Sequence, residues 1–206
     1  MVGYIDDWVF EKGSDGTDES AHFTYSTTTS KYGSSSLKYD NGTVQVDVMT
    51  RTDITADNGR MTMWIYNPTV SSGYVLVGPC GLLEWDTSNY EDAVALCLYH
   101  TTTNTYLQLG RLNSAGDAFS STRQVDIASL VSDDTWYLFD LEFINVDSNN
   151  RIYAEGILYD TDGTTELTNV SHTYTDGATV GDQFGALFLR NSTDIYVDQV
   201  KTWYDY

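Results

Sequence analysis

Histidine and cysteine, which often act as bases, nucleophiles or zinc ligands, are few in this 206-residue chain, with three histidines and two cysteines. The three histidines, His22, His100 and His172, stand far apart. Gly-x-Ser-x-Gly places a serine nucleophile on a sharp turn, and His-Glu-x-x-His pairs two zinc ligands on a helix, but neither motif occurs. The sequence therefore predicts a protein that is not an enzyme.

Aromatic side chains offer a different chemistry, because sugar C–H faces stack on rings while sugar hydroxyls need planar hydrogen-bond partners. The chain has 16 tyrosines and 5 tryptophans. Trp85, Tyr90 and Tyr106 lie in or near the predicted loop region that follows Glu84, and we predict them as ligand-binding residues. Most aromatic residues of a folded domain pack in its core, so each of the three also has a purely structural explanation.

The two cysteines, Cys80 and Cys97, do not form a disulfide framework. One bridge between them is compatible with the sequence. Free cysteines are among the most buried residue types, and we therefore expect two free, buried thiols.

The charge is strongly one-sided, with 30 acidic against 10 basic residues and a formal net charge of -20. Such a surface repels polyanions, which excludes nucleic acid as a partner. A folded domain with this charge repels itself in dilute buffer, and at 1 M salt the Debye length of about 3 Å removes most of that repulsion. The acidic residues are mostly Asp, and the pattern resembles that of haloarchaeal proteins. An ordinary acidic secreted or phage protein is the alternative.

The elements that must position these residues are β-strands. Alternation in 43–49, 59–66, 137–143 and 195–203 places apolar residues on one face and polar or aromatic residues on the other. About fourteen such segments, separated by Gly-, Asn- and Asp-containing turns, predict an all-β, antiparallel two-sheet β-sandwich or jelly roll. No linker composition occurs, so we expect one domain over 1–206, and no apolar run is long enough to span a membrane.

Several of these segments, in order, resemble strands of the concanavalin A-like lectin/glucanase superfamily, which includes laminin-G domains and sandwich carbohydrate-binding modules. They are Tyr32-Gly-Ser-Ser-Ser-Leu-Lys-Tyr39, Met61-Thr-Met-Trp-Ile-Tyr66, Thr135-Trp-Tyr-Leu-Phe-Asp-Leu-Glu-Phe143 and Ile195-Tyr-Val-Asp-Gln-Val200. The resemblance implies a concanavalin A-like fold. Fold alone does not fix function.

The resemblance also implies two candidate calcium sites. Glu84 and Asp86 match a Glu-hydrophobic-Asp-Thr strand of legume lectins that helps bind a transition metal and calcium, although the later ligands of that motif do not align. Glu11 and Asp198 match the clip between first and last strands of carbohydrate-binding modules, with Asp40 as a third ligand. Oxygen-rich sites suit Ca²⁺. The alternatives are a solvated strand end for the first site and backbone hydrogen bonds to Asp198 for the second.

The glucanases of this superfamily carry a strand with three spaced carboxylates, because retaining hydrolysis needs two carboxyl groups about 5 Å apart. Glu84-Trp-Asp86 continues as Thr-Ser-Asn and lacks the final Glu. This departure argues against glycoside hydrolysis. A hydrolase or lyase would instead need a carboxylate pair in a groove. The candidates for a shared cleft are Glu84, Asp86, Glu142 and Glu155.

Taken together, these features predict a non-catalytic surface protein of a haloarchaeal virus, such as a tail fibre, spike, turret or capsid decoration. We expect it at the virion surface in high salt, as a homo-oligomer contacting host glycans or neighbouring virion proteins. The start at Met1 shows no export signal, which is expected of a protein released by lysis. The alternative is a carbohydrate-binding module or adhesin domain of a secreted halophilic protein.

Overall fold

The structure is a computed structural model that describes residues 9–11, 22–40, 47–85, 90–91, 93–112, 118–145, 151–175, 183–191 and 193–204. These residues form fifteen strands and no α-helix. The strands are β1 (Val9–Glu11), β2 (Phe23–Ser26), β3 (Ser36–Tyr39), β4 (Asp47–Thr55), β5 (Asn58–Asn67), β6 (Tyr74–Trp85), β7 (Tyr90–Glu91), β8 (Val94–Thr101), β9 (Thr105–Leu112), β10 (Phe119–Asp126), β11 (Thr135–Asn145), β12 (Ile152–Tyr159), β13 (Glu166–Tyr174), β14 (Gln183–Asn191) and β15 (Ile195–Tyr204).

The strands form two antiparallel sheets. Sheet I has the order β1-β4-β14-β6-β8-β9-β10, with the two-residue β7 paired to β6, and sheet II has the order β13-β12-β11-β5-β15-β3-β2. The predicted all-β, two-sheet β-sandwich is confirmed. After β10 the chain makes one hydrogen-bonded turn, in which the backbone N–H groups of Leu130 and Val131 donate to the Ile127 carbonyl oxygen. No helix in the described ranges has the length and apolar character that crossing a membrane requires.

The main core lies between the two sheets, because alternate side chains of each strand point inward. On β11, Phe139, Leu141 and Phe143 are buried, and Phe143 packs on Phe184 of sheet I with ring centres 5.4 Å apart. The intervening residues of β11 therefore point away from the core. The alternation predicted for this strand, with Asp140 and Glu142 on one face, is confirmed.

A second buried cluster lies on the other face of sheet I. Leu76, Ala95 and Leu187 belong to it, and so do both cysteines. Cys80 and Cys97 are free and fully buried, as expected from the sequence. Burial raises the pKa of both thiols well above the ordinary value, so neither thiol forms the reactive thiolate at neutral pH.

Candidate functional site

The outer face of sheet II carries charged and aromatic side chains on its central strands. Because the inward residues of β5, β11 and β12 fill the core, their neighbours in sequence project to the opposite side. There they line a cleft of about 240 Å³, called here the outer-face cleft. Its lining residues are Arg60, Asp140, Glu142, Glu155, Ile157 and Tyr159.

One side of the outer-face cleft is fixed by an ion pair. The Arg60 Nε donates to Asp140 Oδ1 over 2.8 Å, and Arg60 Nη2 donates to Asp140 Oδ2. Asp140 is only 3% exposed, whereas the Arg60 side chain is 42% exposed. On its other side the guanidinium lies over the ring of Trp203, 5.4 Å from the ring centre. A bidentate, stacked arginine of this kind holds its remaining donors in a fixed direction.

Two carboxylates face each other in the same cleft. Glu142 of β11 is the direct cross-strand partner of Glu155 of β12, and it also lies opposite Arg60 of β5. Directly opposed residues of an antiparallel pair have Cβ atoms roughly 4.5–5.5 Å apart. Among the described residues, neither glutamate forms an ion pair. The cleft therefore offers two neighbouring carboxylates as hydrogen-bond acceptors for a ligand.

Tyrosines supply hydroxyl groups at the edge of the cleft. Burial raises the pKa of Tyr159, and the nearby charge of Asp140 raises it further. The phenol consequently stays protonated and able to donate a hydrogen bond at neutral pH. The Tyr153 hydroxyl lies 3.4 Å from Glu155 Oε2, a long hydrogen bond that a ligand hydroxyl can replace.

The loop before β3 borders this face of sheet II, and Asp198 holds it in place. Asp198 Oδ2 accepts hydrogen bonds from the backbone N–H groups of Lys31 and Tyr32, each over 2.9 Å, and Oδ1 accepts from Gln199 N over 2.7 Å. These bonds place Lys31 Nζ 4.2 Å from the centre of the Trp64 ring. Of the two explanations given for Asp198, backbone hydrogen bonding is the one that the structure shows.

Asp40 lies away from Asp198. Ile195 pairs with Tyr39, so the neighbouring Asp40 lies at the level of residue 194, four residues before Asp198. At roughly 3.3 Å per residue the two carboxylates are roughly 13 Å apart along the strand, too far to share one ion with ligand distances near 2.4 Å. Asp40 instead forms an ion pair with Lys38, over 3.0 Å. This geometry does not bring Asp40 to Asp198 as the third ligand of the predicted calcium site, and the pairing of Asp198 with Glu11 stays a prediction.

The other predicted metal ligands can be placed only by their backbones. Glu11 lies on β1 at the edge of sheet I, opposite Val48, whereas Asp198 belongs to sheet II. Glu84 of β6 pairs with Glu91 of β7. The side chains of Glu11 and Glu84, and the whole of Asp86, lie outside the described residues. Within the described parts of the chain, no three His, Cys, Asp or Glu residues are arranged to hold a metal ion.

The three predicted sugar-stacking residues do not lie together. Trp85 pairs with Tyr90 where β6 meets β7, and their side chains are outside the described residues. Tyr106 pairs with Tyr99 near the opposite end of sheet I, close to Tyr74 at the start of β6. Eleven residues of strand, roughly 36 Å, separate Tyr74 from Trp85. One ligand the size of a monosaccharide cannot contact both groups.

Tyr106 is part of a row of half-buried rings. Its ring stacks on Tyr99 with centres 6.3 Å apart and planes 10° apart, and Tyr99 lies 5.9 Å from Tyr74. Cross-strand aromatic pairs of this kind stabilise a sheet. These positions do not test whether Tyr106, Trp85 or Tyr90 binds a ligand. All three roles stay predictions.

The sequence analysis named Glu142 and Glu155, alongside Glu84 and Asp86, only as carboxylates that an enzyme would have to join in a cleft. It missed Arg60. The sequence held no clear signal for Arg60, because alternation places Asp140 with Glu142 on the polar face of β11 and does not show that Asp140 is buried. A buried carboxylate needs a partner, and only the pairing of β11 with β5 shows that this partner is Arg60.

No family model matches the sequence, and no curated protein matches it. Solved structures do match the fold. The exoplasmic/lumenal domain of VIP36 in a form bound to Ca²⁺ and Man3GlcNAc has a TM-score of 0.56 and 10% identity, covering 97% of this chain and 84% of that one. The carbohydrate-binding module CBM66 from Bacillus subtilis has a TM-score of 0.53 and 7% identity, covering 95% and 94%.

A full-length tailspike protein from an Escherichia coli O157:H7 bacteriophage also matches, with a TM-score of 0.50 and 12% identity. It covers 93% of this chain but only 25% of the tailspike. All of these identities are too low to transfer an activity, and they establish the fold only. The chain has the concanavalin A-like lectin/glucanase β-sandwich fold.

Proposed function

We propose that this chain is a glycan-binding protein of lectin type and that the outer-face cleft of sheet II holds the sugar. The observation that carries the proposal is the Arg60–Asp140 pair set beside the opposed carboxylates of Glu142 and Glu155. Sugar hydroxyls are both donors and acceptors. They can donate to the two glutamates and accept from the guanidinium and the Tyr159 hydroxyl.

The aromatic surroundings of the cleft support the same proposal. Trp203 lies beside Arg60 and is partly exposed, and Tyr159 forms part of the cleft lining. Rings next to planar polar groups suit the apolar C–H faces and the hydroxyl edges of a sugar, respectively. The similar VIP36 domain is in a form bound to Man3GlcNAc, and CBM66 is a carbohydrate-binding module, which agrees with this proposal for the present chain.

Glycoside hydrolysis is a second candidate, and one observation favours it. The direct pairing of Glu142 with Glu155 puts their Cβ atoms roughly 4.5–5.5 Å apart, which lets the two carboxyl groups reach the roughly 5–5.5 Å separation of retaining glycosidases. We propose binding without turnover, because the sequence lacks the three-carboxylate strand of the related glucanases. Chromatography of oligosaccharides incubated with the protein tests this choice. Product formation that disappears in Glu142→Gln would establish hydrolysis instead.

We further propose that the protein works in high salt at the surface of a haloarchaeal virion, as an oligomer. The net charge of -20 supports the high-salt setting, and the partial similarity to a phage tailspike supports the viral one. A module of a secreted halophilic protein remains the alternative source. Thermal unfolding in a series of KCl concentrations tests the setting: we expect the melting temperature to rise up to molar salt as self-repulsion is screened.

The binding experiment uses fluorescently labelled protein and haloarchaeal cells in molar KCl. We expect saturable binding to some strains that falls at least about ten-fold in Glu142→Gln/Glu155→Gln, because each lost charge-assisted hydrogen bond contributes about 1.5 kcal/mol or more. We also propose that Glu84 and Asp86 help to bind Ca²⁺, and repeating the experiment with a calcium chelator tests whether cell binding requires this ion. Equal binding by wild type and the double variant would exclude the outer-face cleft as the site.

A further inference from the structure

A second pocket opens at the edge of the sandwich, where the two sheets end. β10 is the last strand of sheet I and β13 is the last strand of sheet II, and the two strands contact each other. The pocket between them has a volume of about 320 Å³, the lower end of the range for small-molecule sites. Its described lining residues are Arg111, Ser120, Thr122, His172, Tyr174 and Thr175, and we call it the edge pocket.

The described lining of the edge pocket carries a positively charged side chain, whereas the protein as a whole is strongly acidic. Its described lining contains an arginine, a histidine, a tyrosine and three hydroxyl side chains, and no carboxylate. The outer-face cleft, by comparison, has three carboxylates and one arginine. In a chain with 30 acidic residues, a pocket whose described lining has an arginine and no carboxylate differs clearly from the rest of the protein.

Arg111 is built into the edge pocket. It pairs with Val94 of β8, whose side chain is in the core, so Arg111 also points to the inner side of sheet I. It is only 9% exposed, and its guanidinium lies 5.9 Å from the centre of the Tyr174 ring. A guanidinium has five N–H donors, so an internal partner still leaves donors that can face the pocket.

The neighbouring groups extend the set of donors. Ser120 pairs directly with Arg111 across β9 and β10. Thr122 lies in the β-bulge between Ser121 and Arg123, and bulges of this kind re-aim side chains. From the other sheet, the His172 ring packs edge-on against Tyr174, with ring centres 4.7 Å apart. The two sheets thus bring nitrogen and hydroxyl donors to one small space.

We propose that the edge pocket binds the carboxylate or sulfate group of an acidic sugar. Arginine matches the planar oxygens of such an anion with paired hydrogen bonds, and hydroxyl side chains bind the remaining oxygens or the sugar hydroxyls. A volume of about 320 Å³ suits one sugar unit and not a longer chain. This site is separate from the outer-face cleft, and its occupancy does not depend on ligand binding there.

The test is calorimetric titration with glucuronate, glucose and inorganic sulfate, at the lowest KCl concentration at which the protein stays folded. Wild type should bind glucuronate and not glucose at this site. We expect Arg111→Met to weaken glucuronate binding about ten-fold or more, since a charge-assisted pair is lost. Arg123→Met changes the same charge on the exposed strand β10, outside the edge pocket, and should bind like wild type.

A second variant keeps the test decisive if Arg111→Met does not fold. Thr122→Asp adds a negative charge at the exposed rim of the edge pocket and should weaken glucuronate binding, whereas Thr103→Asp at a distant exposed turn should not. Glu142→Gln should leave glucuronate binding unchanged, which separates this site from the outer-face cleft. The proposal is overturned if glucuronate does not bind, if Thr122→Asp leaves its affinity unchanged, or if sulfate binds as tightly as glucuronate, which would indicate a site for free anions.

Discussion

Replacing Arg60 by Met tests how the outer-face cleft is held together. Met retains much of the aliphatic stem that packs beside Trp203 but removes the positive charge. Asp140 is 3% exposed and accepts two hydrogen bonds from Arg60. In Arg60→Met its carboxylate loses both hydrogen bonds and the positive charge beside it. A buried carboxylate in that state is costly because it has lost its hydration without gaining a partner.

The size of the effect follows from the burial of the two partners. Breaking a fully buried ion pair by removing one member costs about 3–5 kcal/mol. Here the Arg60 side chain is 42% exposed, so water can reach part of the space that it leaves. We therefore expect Arg60→Met to lower the free energy of unfolding by about 2–3 kcal/mol. Arg60→Met/Asp140→Asn should be more stable than Arg60→Met alone, because no charge remains buried.

The assay is urea unfolding in molar KCl, followed by tryptophan fluorescence, for the two single variants, the double variant and wild type. The double-mutant cycle isolates the interaction between the two residues, with an expected coupling of about 2 kcal/mol. Arg123→Met, which removes a charge from an exposed strand, is the control and should change stability by less than about 0.5 kcal/mol. A loss below that value in Arg60→Met, or additive single effects, would refute the reasoning.

Three further predictions concern stability. Burial lowers the pKa of His100, whose Nδ1 lies 2.7 Å from Asn67 Oδ1. The unfolded chain therefore binds the proton more tightly than the folded protein does. Stability should fall as the pH drops below about 6.5, by at most about 1.4 kcal/mol per pH unit. His100→Gln should remove this component from the difference between the two urea-unfolding pH profiles, and parallel profiles would contradict it. Asp198→Ala removes the acceptor of three backbone N–H groups and should cost about 2 kcal/mol, with Asp198→Asn less damaging because its amide oxygen still accepts; equal losses in thermal unfolding would count against this account. Gly78→Ala should destabilise the protein more than Gly156→Ala. The Cβ added at Gly78 meets the Leu96 backbone oxygen at 1.8 Å, whereas the Cβ added at Gly156 meets the flexible Leu96 side chain. Urea midpoints in the reverse order would contradict this prediction.

Alternation along single strands made much of the fold predictable. On β11 the sequence places Asp140 and Glu142 opposite the residues that fill the core, and the structure confirms this arrangement. The reason is physical: successive strand residues point to opposite faces, so a local pattern reports which side is buried. The two-sheet architecture follows because each apolar face must be covered by another.

The outer-face cleft could not be predicted in the same way. It joins residues of β5, β11 and β12, and which of them meet depends on the register between strands that are far apart in sequence. The same limit applies to the groupings predicted from the sequence. Asp40 directly follows β3 and Asp198 lies on the neighbouring β15, but they differ by four residues in register. Tyr106 lies near the opposite end of sheet I from Trp85. Motif spacing carries no information about such pairings.

The most direct test of the central proposal, sugar binding in the outer-face cleft, is a glycan array probed in molar KCl. Wild type and Glu142→Gln/Glu155→Gln are compared with Asp126→Asn, which makes one such carboxylate-to-amide change on β10 of sheet I. The proposal predicts that wild type and Asp126→Asn bind the same glycans and that the double variant, folded by circular dichroism, loses them. Retention of the same glycans by the double variant would contradict it.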